Sequence, residues 1–217
     1  LEKTAVYIEE CRRMGIEVLP PDVNWSFTMF TVEGSSIRFG MGAIKNVGES
    51  PTEAIVAERE ANGPYKDLFD FCARLESRIV NRRLIESLNK AGAFVSTGWN
   101  RREVEITIDA AMSEGQVTQR EREMGQTSLF DLMAPAEGES ALHEKPVLPE
   151  WPENEILVYE KEMMGLYVSS HPLAKYGLLL DRYTNVSIAD LPNLREGQEV
   201  VTGGLISVIK NHVTARG

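Results

Sequence analysis

Gly48 lies in the segment of this sequence that is best suited to bind an anion. The pattern over Ala43–Ile55 predicts a short helix, a tight turn and a second helix that begins at once. Ser50 suits the N-cap of the second helix, Pro51 its first position, and Glu53 would complete a capping box. Glycine lets a ligand approach the main chain, and amides at a helix start suit a phosphate oxygen. The expected contacts are Lys45, Asn46, Val47, Gly48 and Glu49.

Two helices joined by a hydrophobic–glycine turn form the helix-hairpin-helix pattern, which favours contact with the DNA backbone. A second, weaker copy is predicted where the helix over Asn81–Phe94 ends in small residues and Asn100 opens the next helix. Tandem copies bind duplex DNA across the minor groove without sequence preference. The alternatives are a plain helical hairpin for the first copy and solvated surface arginines for the second. The expected contacts of the second copy are Arg82, Arg83, Lys90, Gly92, Arg101 and Arg102.

A third segment, Gln126–Leu132, has the composition of a short docking peptide. Its neighbours are the charged run Gln119–Gly125 and the polar run Ala134–Ser140, which offer its large apolar side chains no obvious partner. An extended segment that places such anchors in another protein's pocket accounts for this pattern. The alternative is one turn of an ordinary amphipathic helix. The expected contacts are Gln126, Leu129 and Phe130, with Thr127 and Ser128 as spacers.

Net charge is −10 over 217 residues, but the charge is segregated along the chain. Residues 36–102 hold eleven Lys and Arg against eight Asp and Glu, whereas residues 103–165 hold four against fifteen. The expected DNA-binding part is therefore mildly basic, and the acidity follows it.

Other chemistries find little support in the sequence. Its three histidines are scattered, so we expect no metal site, and Cys11 and Cys72 are interpreted as reduced core residues of a cytoplasmic protein. We find no closely spaced carboxylate pair for two-metal catalysis, no Walker loop and no nucleophile triad, so no catalytic residue is expected. No apolar run approaches the ~20 residues of a membrane span.

The patterning predicts a mainly α fold. Helices are expected near residues 3–14, 40–46, 51–62, 67–76, 81–91, 100–114 (continuing toward 122) and 153–164. A short β-hairpin is expected from 27–32 and 36–39, and the prolines of 125–152 indicate a linker. The β-branched run Glu199–Ile209 indicates strands, and because so few strands cannot stand alone we expect the truncated start of a β domain.

The sequence resembles the alpha subunit of bacterial DNA polymerase III, a C-family replicative polymerase, and looks like a C-terminal piece of it. The chain also does not begin with Met, as expected of such a piece. The resemblance covers essentially the whole chain in order. It is carried by Cys11–Asn24, Phe39–Gly48, Asp67–Cys72, Asn81–Arg83, Lys90–Phe94 and Met164–Leu173.

The resemblance implies a layout for the chain. Its parts would be the end of the fingers domain (1–35), the tandem helix-hairpin-helix domain (36–122), the clamp-binding motif with an acidic linker (123–152), a helical connector (153–181) and the start of an OB domain (182–217). The polymerase carboxylates of this family, with their Mg²⁺, lie in an upstream palm domain. This chain is therefore expected to bind duplex DNA, the sliding clamp (beta subunit) and other replicase subunits without polymerising. The alternative is a stand-alone helix-hairpin-helix repair or recombination factor.

Overall fold

The structure, a computed structural model, describes residues 2–124, 143–206 and 209. The chain divides into two compact units, Leu1–Ser169 and Ser170–Gly217. The helices of the first unit are α1 (Glu2–Arg13), α2 (Glu49–Asn62), α3 (Leu68–Arg74), α4 (Arg82–Lys90), α5 (Arg101–Glu123) and α6 (Glu153–Met164). None of the helices in the described ranges is long and apolar enough to cross a membrane.

Most predicted helices are confirmed, because their apolar spacing and capping residues agree. Asn81 accepts a hydrogen bond from the Leu84 amide at the start of α4, and Asn100 forms a capping box with Glu103 at the start of α5. The prediction for α2 is wrong in its cap. That helix begins at Glu49, and Gly48 occupies the N-cap without a side-chain hydrogen bond.

A small three-stranded sheet lies between α1 and α2 in the chain. Its strands are β1 (Val18–Leu19), β2 (Thr31–Glu33) and β3 (Ser36–Arg38), in the order β1-β3-β2. The predicted hairpin is confirmed as β2–β3, antiparallel with Val32 opposite Ile37, although its strands are shorter than expected. Strand β1, parallel to β3, was not predicted. In place of the helix expected over 40–46 there is a single 3-10 turn, Met41–Ala43.

The core of the first unit lies among the helices, with Phe39, Phe71 and Phe94 almost fully buried. Helix α3 packs along α5, and the two approach closely at Gly115. A Cβ atom on Gly115 would lie 2.6 Å from the carbonyl oxygen of Cys72, so only glycine fits this crossing without a backbone shift. Burial raises the pKa of the Cys72 thiol to about 12.

Residues 143–152 were expected to belong to a linker, but they pack along α5 without regular secondary structure. The Lys145 ammonium donates to the Gly98 carbonyl at 2.6 Å, and the Asn100 amide donates to the Leu148 carbonyl at 2.7 Å. Nearer the other end of α5, a ring nitrogen of His143 lies 2.8 Å from Glu114. The segment therefore runs antiparallel to α5. The predicted docking residues Gln126–Phe130 lie outside the residues that the structure describes.

In the second unit the structure describes residues 170–206 and 209, and none of these is buried. It contains α7 (Gly177–Tyr183) and two 3-10 segments, Ala174–Tyr176 and Ile188–Asn193. No strand is assigned within 182–206, so the predicted start of an OB domain is not confirmed. The run from Glu199 has no neighbouring strand in this stretch, and a strand without a partner leaves its backbone groups unpaired.

Candidate nucleic-acid interface

The first hairpin, Ile44–Gly48, is anchored in the core on one side and exposed to solvent on the other. Ile44 and Val47 are 2% and 3% exposed and anchor it in the core, while Lys45 and Asn46 between them are exposed. Backbone angles reverse the chain sharply here, with φ of 67° at Asn46 and 77° at Gly48. A positive φ is one that glycine adopts readily, and Asn46 is one of the few other residue types that tolerate it. The hairpin therefore presents its backbone outward.

Unsatisfied amides collect where the first hairpin meets α2. Within the described ranges, the amides of Gly48, Glu49 and Ser50 donate no hydrogen bond. The nearest atom to a Cβ built on Gly48 would be Cδ of Pro51, at 3.8 Å, so the surface around the turn is open. Because the first amides of a helix have no partner inside the helix and carry its positive end, this geometry suits a phosphate oxygen.

Asn46 connects the first hairpin to α4. Its side-chain amide lies 3.2 Å from the hydroxyl of Ser87, which is 3% exposed. Arg83 lies one turn before Ser87, and Lys90 nearly one turn after it, on the same face of α4. Cations that the sequence assigned to separate hairpins are thus brought to one surface around the Asn46–Ser87 bond.

Helix α6 supports this surface from behind. Its Met163 carbonyl accepts a hydrogen bond from the Lys45 amide at 2.9 Å, which fixes the hairpin backbone. Two side chains of α6 contact the lysines of the surface. Glu162 lies 3.7 Å from the Lys45 ammonium, and the Lys90 ammonium lies 4.7 Å from the centre of the Tyr159 ring.

Arg82 and Arg102, two further predicted contacts, differ in how freely they could meet a phosphate. Arg82 is already paired with two carboxylates, Glu86 at 2.6 Å and Asp109 on α5. Arg102 is half-buried and has no ion pair among the residues the structure describes. Neither lies on the Ser87 face of α4.

Arg101 and Gly92 are buried, contrary to their predicted place at the surface. The Arg101 guanidinium covers Gly92 so closely that a Cβ there would lie 2.4 Å from it. It also lies 3.2 Å from Glu150 and 3.4 Å from Glu160. Arg101 is 9% exposed and Glu160 1%, so this arginine joins α5 to α6 inside the protein. This arrangement was not predictable from the sequence, because both carboxylates lie far from Arg101 in the chain.

A second tight turn lies between α3 and α4, whereas the second hairpin was predicted between α4 and α5. Buried Leu75 and Val80, 3% and 4% exposed, flank the exposed residues 76–78, as in the first hairpin. The connection Ala91–Asn100 between α4 and α5 is instead long and includes a 3-10 segment. The pair of apolar residues around a short polar stretch was the signal that could have located this turn.

Arg78 stands at the tip of the α3–α4 turn. Its side chain is 81% exposed and pairs with Glu76. The Glu76 carbonyl closes the turn by accepting hydrogen bonds from the amides of Ile79 and Val80, at 2.8 and 3.1 Å. An arginine so placed is a cation that the sequence analysis missed.

No group of three or more His, Cys, Asp or Glu side chains that could hold a metal ion occurs in the described part of the chain. The candidate site is therefore a surface of backbone amides and basic side chains.

Comparison with known proteins agrees with this geometry. The helix-hairpin-helix motif matches residues 15–104. Over its whole length the chain is 41% identical to DNA polymerase III subunit alpha of Saccharopolyspora erythraea, 37% to that of Vibrio cholerae and 34% to that of Escherichia coli K12. The chain spans 19% of the length of each of these relatives.

Proposed function

The chain is similar along its whole length to one region of bacterial DNA polymerase III alpha subunits, and from this we propose that it is a duplex-binding, non-catalytic part of a replicative polymerase. On this proposal, the Mg²⁺-dependent DNA-directed DNA polymerase activity belongs to the complete subunit, which works with other replicase subunits in the cytoplasm. The observation that supports DNA binding most directly is that the exposed amides of Gly48, Glu49 and Ser50 at the start of α2 have no partner among the residues that the structure describes.

The proposed contact is with the phosphate backbone. The amides of the first hairpin would hold one phosphate, and Lys45, Arg83 and Lys90 would neutralise phosphates beside it. Arg78 at the α3–α4 turn would contact the DNA backbone at a separate phosphate, in the role of a second hairpin. All of these proposed contacts are with phosphates and none is with the edge of a base, so we expect the chain to bind DNA without sequence preference.

Gly48→Val tests the hairpin, and Gly63→Val is its matched control. Gly48 and Gly63 lie at opposite ends of α2 with nearly the same backbone angles, φ 77° and ψ 172° against φ 83° and ψ 176°. Neither has an atom within 3.5 Å of a built Cβ, so both variants carry a similar backbone strain. Fluorescence anisotropy with a labelled duplex should show weaker binding for Gly48→Val alone. Equal binding by the two folded variants would contradict the hairpin site.

Salt dependence measures the phosphate contacts directly. With three to five neutralised phosphates, affinity should fall about 40-fold to 500-fold between ~50 and ~200 mM salt. Arg78→Ala and Lys45→Ala should each reduce the slope of log K against log salt by about one. A slope unchanged in both variants would show that neither residue contacts a phosphate.

We further propose that Gln126–Phe130, which lies outside the described residues, tethers the polymerase to the sliding clamp. The support is the sequence pattern alone. Leu129 and Phe130 would fill an apolar cleft, and removing both should cost on the order of 3–6 kcal/mol. With a starting Kd near ~1 μM, that loss would abolish binding in a clamp pull-down. Thr127→Ala with Ser128→Ala serves as the control and should bind normally.

The melting temperature separates this proposal from a core-helix interpretation of the same residues. The Leu129→Ala and Phe130→Ala double variant should melt like the parent protein if the segment only docks. Normal clamp binding together with a melting temperature lower by several degrees would overturn the tether.

A further inference from the structure

One face of α6 engages both lysines of the candidate interface. Glu155, Tyr159 and Glu162 follow one another at spacings of four and three residues, which places them on the same side of the helix. Glu162 lies 3.7 Å from the Lys45 ammonium, and the Tyr159 ring lies 4.7 Å from that of Lys90. Burial, and then the neighbouring Glu155 carboxylate, raise the pKa of Tyr159. We call this surface the acidic face of α6.

The helix that carries the acidic face is fixed in place. Leu157, Met163 and Met164 are between 0% and 5% exposed, so the opposite side of α6 belongs to the core. Glu160, also buried, accepts hydrogen bonds from the amides of Val168 and Ser169, both at 3.0 Å. Because α6 is held in the core, we expect Glu162 to stay beside Lys45 and Tyr159 beside Lys90 whether or not a ligand is present.

The contacts themselves are exchangeable. The side chains of Lys45 and Glu162 are 50% and 45% exposed, and an ion pair so open to solvent contributes at most about 1 kcal/mol. A phosphate held by the hairpin amides would compete for the same ammonium group and would be repelled by the Glu162 carboxylate.

We propose that the acidic face of α6 is a built-in competitor that occupies Lys45 and Lys90 and lowers the affinity of the hairpin surface for DNA phosphates. This inference rests on the proposed function of the first hairpin. On this proposal the acidic face of α6 keeps binding to the DNA backbone weak, which would allow the duplex to move through the site.

The test is a comparison of duplex affinity among charge-matched variants of the whole chain, by fluorescence anisotropy at ~100 mM salt. Glu162→Gln should bind about two- to fivefold more tightly than the parent protein, the range expected for removing an exposed ion pair. Glu153→Gln is the control, because nine residues along the helix place Glu153 about 180° from Glu162. It changes net charge equally and should leave affinity nearly unchanged. Circular dichroism confirms that each variant is folded.

A double-mutant cycle then identifies the lysine. If Glu162 acts by occupying Lys45, the gain should vanish when Glu162→Gln is combined with Lys45→Ala. An equal gain from Glu153→Gln, or an undiminished gain in the Lys45→Ala background, would overturn the competitor.

The remaining outcomes separate this inference from the proposed function. If the parent protein binds duplex and loses affinity in Gly48→Val while Glu162→Gln changes nothing, the hairpin site stands and the competitor is refuted. If no variant binds duplex, Glu162→Gln included, both are refuted.

Discussion

Glu160 is the side chain whose loss should weaken the first unit most clearly. It is 1% exposed, and its carboxylate accepts hydrogen bonds from the amides of Val168 and Ser169 and lies 3.4 Å from Arg101. Glu160→Ala would leave the two amides unpaired and the buried guanidinium with Glu150 alone. Breaking a buried pair of this kind costs about 3–5 kcal/mol, and each orphaned amide about 1–3 kcal/mol. These costs overlap, so we expect a total near 3–5 kcal/mol.

The measurement is the free energy of unfolding from urea denaturation followed by far-ultraviolet circular dichroism. For a unit of this size the expected loss corresponds to a melting temperature lower by roughly 6 to 20 °C. Glu153→Gln changes an exposed residue at the start of the same helix and should stay within about 0.5 kcal/mol of the parent protein.

Arg101→Met provides the partner for a double-mutant cycle. Once Glu160 is changed, removing the arginine should cost less than it does in the parent protein, because Arg101 has then already lost one of its two carboxylates. The amides of Val168 and Ser169 should also exchange faster with solvent in Glu160→Ala. A cost below 1 kcal/mol, or unchanged protection of both amides, would refute the assignment of Glu160 as the anchor of this region.

Two further predictions concern α5. Gly115→Ala should destabilise the unit by about 1–3 kcal/mol in urea denaturation despite alanine's higher helix propensity, since the new Cβ would lie 2.6 Å from the Cys72 carbonyl; Ser113→Ala on the exposed side is the control, and equal stability of the two would contradict the close crossing. Burial alone would raise the pKa of Glu103, but hydrogen bonds from the Asn100 amide, Lys145 and the Leu148 amide together hold it below its ordinary 4.5. Folding therefore favours the ionised form, and this stabilisation is present above pH 4.5 and lost as pH falls through the lowered value. Stability measured against pH should fall less steeply on the acid side in Glu103→Gln, which keeps the capping box, and an unchanged acid limb would assign the pH dependence to other carboxylates.

Local signals predicted most of the helices and the turn of the first hairpin. Asn81 and Asn100 cap α4 and α5 as expected, since a cap and its amide lie within a few residues of each other. One local prediction was wrong, because the helix begins at Glu49, before the predicted cap Ser50.

Contacts between distant parts of the chain could not be predicted in this way. Arg101 was predicted to be a surface cation at the start of a helix, and only the folded chain brings Glu150 and Glu160 beside it. Residues 143–152 have the prolines of a linker, yet their polar groups find partners along α5. The α3–α4 turn was missed because it lacks glycine, the residue on which the hairpin prediction depended. In each case the deciding partner is far away in sequence.

The close crossing of α3 and α5 has a consequence for the chemistry of Cys72. Its thiol is 4% exposed and has a pKa raised to about 12, so at neutral pH it is both covered and almost entirely protonated. Alkylating reagents attack the thiolate, and an unburied cysteine ionises near pH 8.5. In a background carrying Cys11→Ser, the rate of Cys72 labelling would therefore report how often the two helices separate. Cys72 is thus a built-in probe of local opening next to the α3–α4 turn.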